Sequence, residues 1–437
     1  MPTMRAQALS RALRITLMAL CVMASGCGLL QADQHMRRLG DAMYFTGIVE
    51  TEKEARGPIV VVLYRRGAAP EPVFLDVTPR SRGVYHLAGP PGQHGILAFE
   101  DVDRDMAHGA GEPAVLYEGA ALGIDAVDDP PTSAKGLGHI RIPSTATAKP
   151  LPPVFDEAYA ALVRRRNEGF GAQAAIDEGR FAPDRVREGL FQPLRFIEEG
   201  RAGLFMLEPY DPKRIPVIFV HGVGGSPRNW EYVIDKLDRT RFQPWVFFYP
   251  SGFSIGLSAL ILNNAVDELH YRYAFTTSIV VAHSMGGLVA RGALNIIVRE
   301  GRTPPVHHVV TISTPWLGHS AARWADIGPT RVPGSWLDMA PNSPYLSELM
   351  VVPRPADIRF TLFFGFGGRS RFVAGNNDGS VSLDSVLAPD IQSRADYVFG
   401  FDEDHVSILR SDEMIDKLMQ RMRDEANRIK PLPQLGP

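Results

Sequence analysis

Three residues of this chain have the types that nucleophilic catalysis needs. Ser284, Asp378 and His405 follow one another in that order, each just past a run that reads as a strand. A serine hydroxyl is a poor nucleophile until a base takes its proton. A histidine titrates near neutral pH and can hand that proton on to a leaving group. A carboxylate beside it fixes the imidazole tautomer and steadies its charged form. The serine has the most telling surroundings, the stretch Ile279 to Arg291, IVVAHSMGGLVAR. Ile279 to Ala282 are apolar and mostly β-branched, as a strand buried on both faces requires. After Gly286 and Gly287, apolar residues recur at helical spacing: Leu288, Val289, Ala293, Leu294 and Ile297. A serine at a sharp strand-to-helix turn has its hydroxyl lifted above the sheet. The helix start behind it offers free N–H groups and a positive dipole end to a developing oxyanion. The bland alternative is a glycine-rich turn that carries an incidental serine.

The elements that must position these residues are legible on either side. Ile215 to Val220 is an apolar strand followed by His221-Gly222-Val223-Gly224-Gly225-Ser226. Pro244 to Tyr249 is a second strand, and Leu257 to Leu269 has helical spacing. His307 to Ser313 is a strand ending in Thr314-Pro315-Trp316-Leu317-Gly318. Arg359 to Gly365 is another, and the run Asn376-Asn377-Asp378-Gly379 that follows favours a tight turn able to aim a carboxylate. Tyr397 to Phe401 is the last strand, with His405 just beyond it, and Ser411 to Ile429 forms a final amphipathic helix. Asp384, Asp402 and Asp404 compete with Asp378 for the acid's place. His283, His307, His308 and His319 compete weakly with His405.

The elbow stretch resembles that of α/β-hydrolase lipases and esterases, usually G-x-S-x-G and here with Ala282 in place of the first glycine. The H-G-x run at His221 and the S-T-P-x-x-G run at Ser313 recur in the same lipases. The resemblance covers Gly203 to Ile429. It implies an α/β fold with a doubly wound, mostly parallel sheet, and Ser284, Asp378 and His405 as the catalytic set in the order that fold requires. It implies an oxyanion hole made by the backbone N–H groups of Val223 and Met285, and no metal or organic cofactor. The substrate implied is an ester or lipid, with a cap or acyl pocket within Trp316 to Met350. An acyltransferase or thioesterase would use the same residues. A surface binding protein on a retired hydrolase scaffold is the reading from another class.

At 437 residues the chain is long enough for more than one domain, and 45% hydrophobic content permits a full core. With a formal charge of −3, nothing points to nucleic acid as a partner. Residues 1–26 read as a targeting segment: Arg5, Arg11 and Arg14, then an apolar run from Ile15 to Met23. It ends in Ala24-Ser25-Gly26-Cys27, which resembles the lipobox of bacterial lipoproteins, with Ala24 where leucine is usual. That resemblance implies lipidation of Cys27 and a lipid anchor in the bacterial cell envelope, with the outer membrane expected. An ordinary signal peptide is the alternative. Cys21 and Cys27 are the only cysteines, so the exported body would have no disulfide.

The remaining chain divides by composition. Residues 27–43 read as a tether. Residues 44–122 carry short strands between Gly/Pro turns, a small all-β sandwich-like domain that loosely resembles the prealbumin-like modules of surface proteins. Residues 123–153 read as a Pro-rich linker, 154–202 as helices bracing the catalytic domain, and 203–430 as that domain. In the β region, Asp101, Asp103, Asp105 and Glu112 match positions 1, 3, 5 and 12 of a calcium loop, but Met106 stands where that loop needs glycine. No helical pattern flanks the run, so the reading here is a solvated acidic loop between strands with no metal, and a weak structural cation site is the alternative. Nothing in the sequence sets an oligomeric state.

Overall fold

Runs of β-branched and aromatic residues in the C-terminal half become the strands of one large sheet. The structure, a computed structural model, describes residues 33–35, 37–38, 43–67, 70–78, 81–118, 138–145, 156–324, 332–370, 373 and 375–429. The expected targeting segment and Cys27 lie outside the described residues. So does most of the expected tether.

The large sheet has eight strands in the order β15-β14-β13-β12-β10-β11-β9-β8. They are β8 (Phe170–Gln173), β9 (Gly203–Met206), β10 (Ile215–Val220), β11 (Phe242–Phe248), β12 (Ile279–His283), β13 (His308–Ile312), β14 (Arg359–Gly365) and β15 (Tyr397–Phe401). All neighbouring pairs are parallel except β11 with β9. Alternate residues of the central strands enter two separate cores. Ile218, Val220, Val280 and Ala282 pack with two helices that follow in the chain, Ile255–Tyr273 and Met285–Arg299. Val217, Phe219, Ile279 and Val281 pack on the opposite face with Trp230 and the last helix, Asp412–Ala426. Helices therefore cover both faces, which is why these strands read as continuous apolar runs. Because β10 and β12 to β15 run parallel, the loops after them all emerge at one sheet edge. In open α/β sheets that carboxyl edge is where ligands bind.

Two expectations of domain organisation need correction. Within residues 154–202, expected as helices alone, Phe170–Gln173 forms a strand paired with β9, so the large sheet starts before Gly203. Within the expected linker, Gly138–Ile142 forms β7 and pairs in parallel with β1 (Met43–Thr51). In both cases a partner strand supplies the hydrogen bonds that a short segment cannot supply itself.

The N-terminal strands form two small sheets. One is β4 (Arg82–Gly89), β1 and β7, and the other is β3 (Glu71–Thr78), β2 (Ile59–Arg65), β5 (His94–Glu100) and β6 (Ala114–Glu118). Phe45, Val49, Val61, Leu63, Tyr85, Leu87 and Ile96 fill the space between them. The second face of β2 and β5 is also covered. Val60, Val62, Leu97 and Phe99 pack with Tyr159, Leu162 and Val163 of a helix, Asp156–Gly169. That helix, expected to brace the catalytic domain, joins the two regions: its Arg166 also pairs with Glu268 at 2.8 Å, both nearly buried.

Candidate active site

The site is built at the end of β12. Ser284 stands between that strand and the helix Met285–Arg299 with φ +54° and ψ −130°, a conformation that side chains other than glycine rarely adopt. Its N–H donates to the Ile312 carbonyl on β13 at 2.8 Å, which holds the strained turn against the sheet. The helix begins this close to β10 because Gly286 has no side chain. A Cβ there would lie 2.4 Å from the Val220 carbonyl oxygen.

Two loops from further along the sheet edge bring the other groups to the serine. The His405 Nε2 lies 3.0 Å from Ser284 Oγ, and its Nδ1 lies 2.7 Å from Asp378 Oδ2. Asp378 is fully buried. Burial alone would raise its pKa, but hydrogen bonds from His405 and from the N–H groups of Val381 and Ser380 outweigh that and hold it below the usual carboxylate value. An ionised Asp378 can only accept, so Nδ1 of the neutral imidazole carries the proton. Nε2 then has a free lone pair and accepts from the Ser284 hydroxyl. The arrangement can therefore move the serine proton to His405 and stabilise the imidazolium that results.

The acid turn is held by groups on both sides. Asn377 accepts from the N–H groups of Ser370 and Gly379 and donates to the carbonyls of Val373 and Gly375. The His405 N–H donates to the Asp378 carbonyl at 2.7 Å, so acid and base loops are joined through backbone as well. His283 donates from Nε2 to the His405 carbonyl at 2.8 Å, with its ring 4.7 Å from the His405 ring. Burial, reinforced by His405, pushes His283 down to about 3, so it is a neutral donor at working pH.

The loop after β10 faces the serine. A Cβ at Gly222 would stand 2.9 Å from Ser284 Cβ, so only glycine lets this backbone approach. His221 Nδ1 donates to the Gly222 carbonyl at 2.8 Å, and its ring stacks on Tyr249 at 4.3 Å. Burial lowers His221 to about 4. In a trans peptide the C=O and N–H point opposite ways. Fixing the Gly222 carbonyl therefore fixes the Val223 N–H, which has no hydrogen-bond partner among the described residues. Met285 is the first residue of its helix, so its N–H lies outside the helical ladder.

Residues 217–436, about half of the chain, match the model of the alpha/beta hydrolase family. The chain belongs to the alpha/beta hydrolase family. No curated protein matches its sequence. Solved structures it is similar to include Bacillus licheniformis lipase BlEst2 in its mature form, at 17% identity over 50% of this chain and 97% of that one, with a TM-score of 0.41. YbtT, a type II thioesterase from a yersiniabactin biosynthetic pathway, shares 17% identity over 52% of this chain and 99% of its own, with a TM-score of 0.37. A carboxylesterase of Nitrososphaera gargenis shares 12% identity over 52% and 97%, with a TM-score of 0.36.

The rival residues of this hydrolase lie elsewhere. Asp384 and Asp402 are exposed, and Asp404 spends its carboxylate on the N–H groups of Val406 and Ser407. His308 is buried against Thr361, and His307 faces Glu425 at 3.8 Å. His319 is closer to the site, 3.2 Å from Ser380 Oγ in the acid turn. Within the expected cap, the described parts pack onto the body: Trp316 is buried against Phe360, and Ser335 donates to the Ser251 carbonyl. The elbow and the Asn-Asn-Asp-Gly turn signal supporting roles for His283 and Asn377, but their hydrogen-bond partners are set by the fold.

Proposed function

We propose that this hydrolase cleaves carboxylic esters through an acyl-enzyme on Ser284. The observation that carries the reading is the unbroken hydrogen-bond line from Asp378 through His405 to Ser284, at 2.7 and 3.0 Å, ending on a strained elbow. Ser284 Oγ attacks the acyl carbon while its proton passes to His405 Nε2. The carbonyl oxygen becomes an oxyanion, which the N–H groups of Val223 and Met285 would receive. The C–O bond then breaks, and His405 gives its proton to the departing alkoxide, releasing alcohol. Water repeats the sequence in the second half: it loses a proton to His405, adds to the acyl carbon and releases the acid. Ser284 Oγ takes the proton back.

An apolar acyl group fits the surroundings. Val223, Leu317, Phe366 and Val406 are exposed large hydrophobic residues, and each lies on a loop after β10, β13, β14 or β15, the edge that holds the site. The test is a panel of activated esters of increasing acyl length, with a competing alcohol present. Free acid as the main product, with turnover rising beyond the shortest acyl groups, supports the proposal. Acyl transfer to the alcohol as the main product points to an acyltransferase. The chain is further proposed to be lipid-anchored at Cys27, on the strength of the Ala24-Ser25-Gly26-Cys27 run. Cys27→Ser should move it out of the membrane fraction, and a variant still sedimenting with membranes after a high-salt wash overturns the anchor.

A further inference from the structure

We infer that the loop Asp101 to Glu112 in the β region binds one divalent cation of the calcium type, held by the carboxylates of Asp101, Asp103 and Asp105. One carboxylate oxygen from each of the three lies within 4.8 Å of the others. Among the described residues, none of the three forms an ion pair with a basic side chain. Clustered carboxylates on a surface are common. Asp101 is different, because it is 0% exposed. Its Oδ2 accepts from the Met106 N–H at 3.1 Å, while its Oδ1, equally buried, has no hydrogen-bond partner. A buried carboxylate oxygen left without a hydrogen-bond partner carries a desolvation cost. Asp103 and Asp105, both exposed, bring two further carboxylates to the side chain of Asp101. A cation there would satisfy the orphaned oxygen and remove the repulsion among the three acids.

The expectation of a solvated acidic loop does not hold at Asp101, which is buried, while strands and not helices flank the loop as expected. Met106 stands where a calcium loop needs glycine for its turn. Met106 itself adopts the left-handed backbone, with φ +67°, and Arg104 does the same at φ +65°. Glu112 departs from the calcium-loop pattern in another way. It is buried, and its two oxygens accept from the N–H groups of Val102 and Gly109 at 2.6 and 2.7 Å. It therefore closes the loop on itself, which leaves three acids as the ligands. An all-oxygen, partly open set suits a hard cation that keeps several waters, and the absence of nitrogen and sulfur ligands disfavours zinc.

The loop sits where the β region meets the hydrolase. The Met106 carbonyl accepts from Tyr159 Oη at 2.6 Å, on the joining helix, and the Arg104 guanidinium lies 5.2 Å from the centre of the Tyr271 ring, on the helix Ile255–Tyr273. That helix shares a core with the elbow helix. The cation would order the contact between the two regions and leave the chemistry at Ser284 alone.

The test uses the full chain, stripped with EDTA and titrated with calcium chloride, followed by equilibrium dialysis and by thermal unfolding. Asp103 and Asp105 are exposed, so Asp103→Asn, Asp105→Asn and the double variant keep the fold. The expected result is one Ca²⁺ per chain, with a Kd of about 10⁻⁴ to 10⁻³ M as in exported modules. The unfolding temperature should rise with Ca²⁺ in the wild type, and binding should weaken by about tenfold or more in the double variant. Ester turnover below the unfolding temperature should not change on EDTA treatment. No saturable binding up to about ten times that Kd range, or undiminished binding by the double variant, overturns the inference.

Discussion

Buried polar groups around Ser284 form one continuous line, whereas those of the β region pair locally and leave single atoms without partners. At the sheet edge, Ser284 meets His405, His405 meets Asp378, Asp378 meets two backbone N–H groups, and His283 holds the His405 carbonyl. In the β region, Asp101 Oδ1, Tyr85 Oη and His86 Nε2 are buried without a hydrogen-bond partner. Burial is similar, but its consequence differs. A closed line of donors and acceptors fixes where each proton sits and lets it be moved. An orphaned oxygen fixes nothing by itself and invites an outside partner. Substitutions at the sheet edge should therefore read out in turnover, and those in the β region in stability and cation binding.

The largest effect should follow His405→Ala, the middle of the line. With no acceptor for the serine proton, turnover on an activated ester should fall by about 10⁶-fold, as in comparable triads, while thermal unfolding shifts little. Comparable turnover in the two proteins would show that the convergence of these groups does no chemistry.

Asp378→Asn comes next. An amide in that place favours the wrong imidazole tautomer, which costs about 10⁴ in turnover in an analogous triad. Asp384→Asn, Asp402→Asn and Asp404→Asn should stay within about tenfold, since none of these acids faces the ring and surface changes act weakly. A milder loss at Asp378 than at one of the other three would reassign the acid.

Asn377→Ala sharpens the comparison, because Asn377 touches neither Ser284 nor His405. It holds the turn that aims Asp378, and a displacement of about 1 Å can cost about 10²-fold. The loss should fall on kcat with KM nearly unchanged. A loss in KM alone would mean that Asn377 shapes substrate binding instead.

The smallest expected effect concerns acid. Burial lowers His221 to about 4, and His283 and His308 to about 3. Their folded values lie below the unfolded value, so the unfolded chain binds more protons between about pH 6.5 and those values. Stability should therefore fall as pH drops through that window and be independent of these groups above it. His308→Gln, remote from the serine, should flatten the dependence by about 1.4 kcal/mol per pH unit within the window. An unchanged slope of unfolding free energy against pH would contradict the buried, neutral state of His308.

The fold was most legible where the pattern is local. The strand–turn–helix around Ser284 declares itself within Ile279 to Ile297, because apolar runs of one period pass directly into the other. The acid turn is marked by Asn377 and Gly379, and the structure uses both for their turn chemistry. The strands β7 and β8 were not legible. Gly138–Ile142 becomes a strand because β1 lies beside it, from about ninety residues earlier in the chain. Phe170–Gln173 is four residues long, contains a glycine at φ +81° and depends on β9. The burial of Asp101 follows the same logic. A loop that reads as acidic surface is covered in part by Tyr159, a residue far along the chain. His283 sits in the elbow, but its partner is the carbonyl of His405, 122 positions away, and only the closed fold brings them together.

The central claim is that Ser284 is the nucleophile. Treating the protein with a fluorophosphonate probe and mapping the modified peptide tests it directly, because the probe captures a hydroxyl activated as in the line described. One adduct on Ser284 is predicted, abolished by Ser284→Ala and strongly slowed by His405→Ala. No adduct, or an adduct on another residue that persists in Ser284→Ala, would contradict the account.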